Sequence, residues 1–142
     1  MPEVMPMPLT ELAEMLATLS PELHAGPVVY VALPPGAVPP MGWDDPRLIA
    51  AFREAEGWTL IIQGDGAGLP VLFRAAWITL TVQSDLAAVG LTAAFARALG
   101  DAGISCNVMA AAVHDHIFVP QGDGARALVA LQDLQQAALR DA

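Results

Sequence analysis

The chain has 142 residues, 55% of them hydrophobic and 15% charged, which predicts one folded domain or two small ones sharing a core and excludes intrinsic disorder. All six basic residues are arginine, so lysine chemistry, such as a Schiff base or a phosphate-loop lysine, is excluded. The net charge of −9, without a cluster of basic residues, also argues against nucleic acid and anionic membranes as partners.

The first half of the sequence predicts two helices and three extended segments. A helix is expected from Leu9 to Leu19, because leucines recur at helical spacing and Thr10 is a candidate N-cap. The apolar, β-branched run Val28–Leu33 predicts a buried strand, and a proline-rich spacer follows it. Residues Arg47–Glu56 predict a short helix, with Asp44 or Asp45 as its cap. The remaining extended segments are Trp58–Gln63 and Pro70–Arg74.

The second half predicts the order strand, helix, strand, strand, helix. Apolar and polar side chains alternate over 76–82, which is typical of a strand. Leu91–Ala102 carries one apolar stripe and predicts a helix. The other predicted elements are strands at Ile104–Ala110 and His116–Val119 and a terminal helix from Asp123 to Leu139.

This order is that of a ferredoxin-like fold without its last strand. The first half has the same elements with the closing helix moved to the front. We therefore expect an α+β protein of two ferredoxin-like, βαββα-derived halves, residues 1–74 and 75–142, packed together. Neither half buries enough surface to be stable alone, and the sheet edge left open must be covered by the sibling half or by a second chain.

Five stretches of the sequence carry a resemblance to a known family. They are AWITLTVQSDLAAVGLTAA (76–94), AGISCNV (102–108), HDHIFVP (114–120), FREAEG (52–57) and TLII (59–62). These stretches resemble a family of small bacterial ACT-domain proteins, and the match covers most of residues 21–139. The resemblance implies tandem ACT-type domains, related to the regulatory domains of aspartate kinases and to amino-acid sensors. It also implies that the protein binds an amino acid or similar small molecule between two ACT units and catalyses no reaction.

The chain departs from the family pattern at two places that border the expected ligand cleft. The family usually has His where Gln83 stands, and Gly followed by aromatic or His residues where Ala111, Ala112 and Val113 stand. These departures put the binding of the family's ligand in doubt.

The segment Ser84–Leu91 joins a predicted strand to the start of a predicted helix. Free backbone N–H groups and the helix dipole at such a start suit a carboxylate. Asp85 is placed to meet an ammonium group, and Gly90 permits close approach of the backbone. The competing interpretation is an ordinary connection in which Ser84 or Asp85 caps the helix. The binding residues expected here are Ser84, Asp85, Leu86, Gly90, Leu91 and Thr92.

Asn107 and Val108 are the binding residues expected on the following strand, contributed by a different ACT unit. The Asn107 amide can donate and accept hydrogen bonds and so can meet either end of an amino acid. The alternative is a cross-strand hydrogen bond that satisfies a half-buried amide.

The spacing of His114 and His116 puts both side chains on one strand face, where they could bind a transition metal. A third ligand is not evident, since His24 is the only other histidine. The alternative is a hairpin end capped by Asp115. Cys106 is the single cysteine and is expected to pack in the core.

Taken together, the sequence predicts a non-catalytic, regulatory binder of a small molecule, with an amino acid as the ligand that the resemblance implies. No cofactor is expected, and the protein is expected to assemble as a homodimer or larger oligomer. One alternative is an assembly module that binds no ligand, and another is a His-based metal-binding protein. The first eight residues contain three prolines and no basic residue, so no secretory signal is expected and a cytoplasmic location is predicted.

Overall fold

The structure, a computed structural model, describes residues 11–141. Within them, three helices accompany seven strands, all paired antiparallel. The helices are α1 (Leu12–Ala17), α2 (Leu91–Asp101) and α3 (Gly124–Arg140), the last preceded by a 3₁₀ turn, Gln121–Asp123. The strands are β1 (Pro21–Leu23), β2 (Val28–Leu33), β3 (Leu48–Glu54), β4 (Gly57–Gln63), β5 (Val71–Leu80), β6 (Asn107–Ala110) and β7 (Asp115–Pro120). No helix among these residues is long and apolar enough to cross a membrane.

The long strand β5 joins the two halves of the chain into one sheet. The strand order is β3-β4-β2-β5-β7-β6, and β1 also pairs with β5. The first part of β5 pairs with β2, and its last residues pair with β1 on one side and β7 on the other. The sequence divides this strand into two extended segments, 70–74 and 76–82, but the structure makes them one.

Strand β1 fills the place of the last strand that the second half lacks. Residues Pro21–Leu23 lie opposite Ile78–Leu80, so the second-half sheet runs β1-β5-β7-β6. This is the strand order of a complete ferredoxin-like domain, in which the outer strand comes from the first half of the chain. The sibling half therefore covers the predicted open edge within this chain.

All three helices pack on one face of the second-half sheet. Phe95 of α2, Leu131 of α3 and Met15 of α1 are fully buried there against Ile78 and Leu80. The predicted alternation of β5 and the predicted stripe of α2 are thus confirmed. Cys106 packs at the margin of this core.

The predicted helix over Arg47–Glu56 is wrong. Residues Leu48–Glu54 form β3, which makes a hairpin with β4. Gly57 adopts a φ of 131° at the hairpin, and its missing side chain leaves room for the Leu33 carbonyl. Asp45 does not cap a helix, since its carboxylate accepts the Arg47 backbone N–H and pairs with the Arg47 guanidinium.

Two other boundaries differ from the prediction. Helix α1 starts at Leu12, after Glu11; Leu9 and the predicted cap Thr10 lie outside the described residues. Strand β6 starts only at Asn107, because Gly103 and Ile104 form backbone hydrogen bonds that close the end of α2.

The face of the sheet opposite the helices, here the open face, carries an apolar cluster of strand residues. Within residues 11–141 this cluster has no member from a helix. Tyr30 of β2 lies edge-on to both Phe73 of β5 and Phe118 of β7, and these rings bury Ala75 between them. Aromatic side chains, rather than helices, thus cover the middle of this face.

Candidate functional site

Three segments meet at one end of the second-half sheet. They are the β5–α2 loop (residues 81–90), the start of α2, and the β6–β7 turn (residues 111–114). The turn and the loop are neighbours because Asp115, the first residue of β7, pairs with Leu80, the last residue of β5. The family departures at Gln83 and at residues 111–113 border this place.

The start of α2 has free hydrogen-bond donors. No side chain caps it, and its first turn contains no acidic residue. The first intrahelical bond runs from the Ala94 N–H to the Gly90 carbonyl, so the N–H groups of Leu91, Thr92 and Ala93 have no acceptor within the helix. Such a helix start attracts a carboxylate or another anion.

Gly90 precedes this helix with a φ of 102°, in the left-handed region. The space beside its α-carbon is filled by α1, since a side chain there would begin 3.2 Å from Leu12 Cδ2. The expected role of Gly90 was to let a ligand approach the backbone. The structure shows that Gly90 packs against Leu12 and so serves the fold, whereas its role toward a ligand stays a prediction.

Asp85 serves its own loop. Its Oδ1 accepts the Ala87 backbone N–H at 2.8 Å, and the Asp85 carbonyl accepts the Ala88 N–H. This local turn is the ordinary connection considered as an alternative, although Asp85 caps the turn and not the helix.

Asp115 lies at this candidate site and was not among the binding residues expected from the sequence. It is only 6% exposed, and Ser84 Oγ lies 3.5 Å from its Oδ2. By strand alternation it shares the helix-side face with Ile117. Burial raises the pKa of Asp115, while the Ser84 hydroxyl and the flanking histidines oppose that shift. The sequence signal that could have found Asp115 is its position one residue before the predicted strand His116–Val119, in phase with the buried Ile117.

The other predicted loop residues differ in exposure. Leu86 is 68% exposed and Thr92 is also exposed, whereas Leu91 is buried in the helix-side core. Leu91 can therefore offer a ligand its backbone N–H but not its side chain.

The structure does not bring Asn107 to the β5–α2 loop of the same chain. Ala110 of β6 pairs with Asp115, and Asn107 pairs with Phe118. Asn107 thus lies about 10 Å further along the strand. It is exposed, as is Val108, on a strand whose outer edge is unpaired within residues 11–141.

The histidines form a different arrangement from the metal pair considered above. His116 Nδ1 lies 3.1 Å from Trp77 Nε1 and 3.1 Å from Thr79 Oγ1, and His24 Nε2 lies 2.7 Å from the same hydroxyl. Among the described residues, no three His, Cys, Asp or Glu side chains are grouped to hold a metal.

Comparison with known proteins identifies the family. ACT-domain models match residues 8–74 and 73–133. A Vibrio cholerae protein of unknown function, VC0802, described as a possible transport protein, is 42% identical. The match covers 87% of this chain and 95% of that one, with a TM-score of 0.71. This chain belongs to the ACT-domain family.

Two more distant structures share the fold of this tandem ACT-domain protein. Protein Atu0741 from Agrobacterium tumefaciens is 17% identical, with a TM-score of 0.65, over 81% of this chain and 87% of that one. The regulatory subunit of aspartate kinase from Thermus flavus is 10% identical, with a TM-score of 0.57, over 80% and 95%. No curated protein sequence matches the chain. The predicted α+β fold of two ferredoxin-like ACT-type halves is confirmed.

Proposed function

We propose that this ACT-domain protein is a non-catalytic regulatory module that binds a small molecule, an amino acid being the best fit. The observation that carries the proposal is the β5–α2 loop. One end of this loop begins a helix with free N–H donors, and the other end contacts the buried carboxylate of Asp115. A positive and a negative binding group joined by one short loop complement a zwitterion.

The carboxylate of the ligand would accept hydrogen bonds from the N–H groups that begin α2. Its ammonium group would lie against Asp115, since Asp85 Oδ1 already accepts a hydrogen bond within its loop. An ammonium group would favour the charged form of Asp115, which burial disfavours. Ligand binding thus offsets the unfavourable free energy of the buried Asp115 charge in the protein without ligand.

We further propose that Asn107 and Val108 reach this site from a second copy of the chain. Both residues are exposed on the outer strand β6, away from the loop of their own chain. A homodimer would bring them to the loop of the partner. Within each chain, the proposed ACT-type halves are residues 1–74 and 75–142. We also propose that the protein acts in the cytoplasm.

The test is a thermal-shift screen of the twenty amino acids against the wild-type protein. A ligand at 100 times its Kd adds about 2.7 kcal/mol to native-state stability, so a specific ligand gives a clear rise in Tm. Asp115→Asn should remove the response, and Asp85→Asn, which keeps an acceptor for the Ala87 N–H, should retain it. An equal loss of the Tm response in both variants would show that Asp115 is not the specific partner of the ammonium group.

A second candidate function is an assembly module without a ligand. It is favoured by the open face, where the apolar cluster contains strand residues only. If no amino acid or related metabolite raises the Tm while light scattering gives a stable oligomer, this second function replaces the first.

A further inference from the structure

The open face carries a polar group of residues that the binding site does not use. His24, which follows β1, stacks on the Trp77 ring with 3.6 Å between ring centres. The Thr79 hydroxyl lies between His24 Nε2, at 2.7 Å, and His116 Nδ1, at 3.1 Å. Trp77 Nε1 approaches the same His116 nitrogen at 3.1 Å. Two imidazoles, one hydroxyl and one indole thus form a continuous hydrogen-bonded chain.

The chemistry of the indole fixes the role of His116 Nδ1 in this hydrogen-bonded chain. An indole N–H can only donate, so His116 Nδ1 must be an acceptor and the His116 ring is neutral. When the Thr79 hydroxyl shares that lone pair and donates to His116 as well, the Thr79 oxygen accepts from His24, whose hydrogen is then on Nε2. In this tautomer hydrogen bonding runs from His24 through Thr79 to His116.

An added proton can pass along this chain and reverse it. When a proton binds His24 Nδ1, the hydrogen on His24 Nε2 can move to the Thr79 oxygen. The hydroxyl hydrogen of Thr79 then moves to His116 Nδ1. One proton has been gained, His24 is neutral again, and His116 is an imidazolium. Its new N–H faces the Trp77 N–H, so two donors oppose each other and the indole loses its acceptor.

The surroundings favour the neutral form of both histidines in this hydrogen-bonded chain. Burial lowers the pKa of His116 below its ordinary 6.5, and the nearby His114 and His24 lower it further, whereas Asp115 opposes the shift. Burial also lowers the pKa of His24, against the opposing charge of Glu22 on β1. The residues that face His116 from β5 and β6 are Thr79 and Met109, which carry no charge.

We propose that the His24–Thr79–His116 chain is a proton-operated switch, in which one proton reverses the hydrogen bonds and releases the Trp77 indole. The switch stands on its own geometry. Its consequence for ligand binding rests on the proposed function, because His116 follows Asp115 directly in β7. Release of Trp77 would loosen β7 beside Asp115, so acidification would weaken the ligand site.

The switch can be read from Trp77 alone. Trp43→Phe with Trp58→Phe leaves Trp77 as the single tryptophan, and the two replaced residues lie together in the first half. Between pH 8 and pH 5, we expect loss of Trp77 fluorescence and a shift of its indole N–H resonance. Both changes should have one midpoint below 6.5, because imidazolium quenches indole and no longer accepts its hydrogen bond.

Matched variants assign the transition. His116→Gln keeps an acceptor for the indole but cannot be protonated, so the indole N–H resonance should stay at its hydrogen-bonded position. The fluorescence does not discriminate in this variant, because a protonated His24 stacked on the ring still quenches it. His114→Gln removes a histidine that is not part of the His24–Thr79–His116 hydrogen-bonded chain, so the transition should remain. Thr79→Val should abolish the reversal while leaving a folded protein, as judged by circular dichroism. A shift of the indole N–H resonance that survives in His116→Gln, or one that vanishes in His114→Gln alone, would overturn the switch.

The link to the binding site has its own measurement. With an amino acid found in the screen above, the wild-type Kd should rise on going from pH 7.5 to pH 5.5, and it should rise less in His116→Gln. An equal rise in both proteins would remove the link to ligand binding. The fluorescence and resonance changes would still decide the switch, so failure of the proposed function and failure of the switch remain distinguishable.

Discussion

Asp115 combines burial with an acidic group, and the two act against each other. Burial raises its pKa above the ordinary 3.8. A carboxyl group whose pKa is raised on folding binds protons more tightly in the native state, so the free energy of unfolding falls as pH rises through that window. At neutral pH the empty protein therefore carries a destabilising charge at this position. A cationic group that binds to Asp115 would offset this destabilisation, so the residue is explained by a role in binding.

This predicts opposite effects of Asp115→Asn on stability and on binding. Without ligand, the variant should unfold at higher urea concentration than the wild type at pH 7.5, and the difference should shrink toward pH 4. Ligand binding should weaken by about 1.5–3 kcal/mol, the range for a lost hydrogen bond to a charged group. Urea titrations at the two pH values, with calorimetry for binding, provide the check. A variant less stable at pH 7.5 would show that Asp115 has a structural role instead.

The proposed site was only partly predictable at the level of single residues. The loop, the helix start and Gly90 follow from turn and helix signals that are local in sequence. Asp115 stands between two histidines at a hairpin end, where a capping role fits equally well. Only the pairing of Asp115 with Leu80 buries it next to Ser84, and this contact spans 31 residues of sequence.

Among the elements, α2 and β5 were predictable and β3 was not. The buried residues of α2 recur every four positions. The β5 residues in the helix-side core, Ala76, Ile78 and Leu80, recur every two, so each pattern fits one structure. In β3, the apolar residues Leu48, Ile49, Ala51 and Phe52 fit a helix equally well. Pairing with β4 decides the outcome, because a hairpin beside β2 gives all three strands backbone partners.

The two ends of α2 offer a matched test of how this helix is placed. Gly90 and Gly103 both have positive φ, 102° and 73°, but only Gly90 touches another side chain. Gly103→Ala should cost about 1–2 kcal/mol, the strain of a left-handed non-glycine residue. Gly90→Ala should cost more, since Leu12 of α1 must also move. The free energy of unfolding in urea measures both costs, and equal values would mean that α1 does not restrain the start of α2.

At the level of the whole molecule, one strand makes two halves into a single sheet. Because β5 pairs with β2 at one end and with β1 and β7 at the other, neither half can be removed without exposing strand edges of the other. The open edge of β6 and the open face remain available for a second copy. The proposed site needs that copy, since Asn107 lies at one end of β6 and Asp115 of β7 pairs with Ala110 at the other end.

Mixing two inactive variants tests this shared site most directly. Asp115→Asn removes the acidic group and Asn107→Ala removes the amide, so each homodimer should bind the screened amino acid weakly. Random exchange of subunits makes half of all dimers heterodimers, and each heterodimer has one intact site and one doubly altered site. About a quarter of all sites should therefore regain wild-type affinity in calorimetry. No recovery after verified exchange of subunits would contradict a site built from the β5–α2 loop of one copy and Asn107 of another.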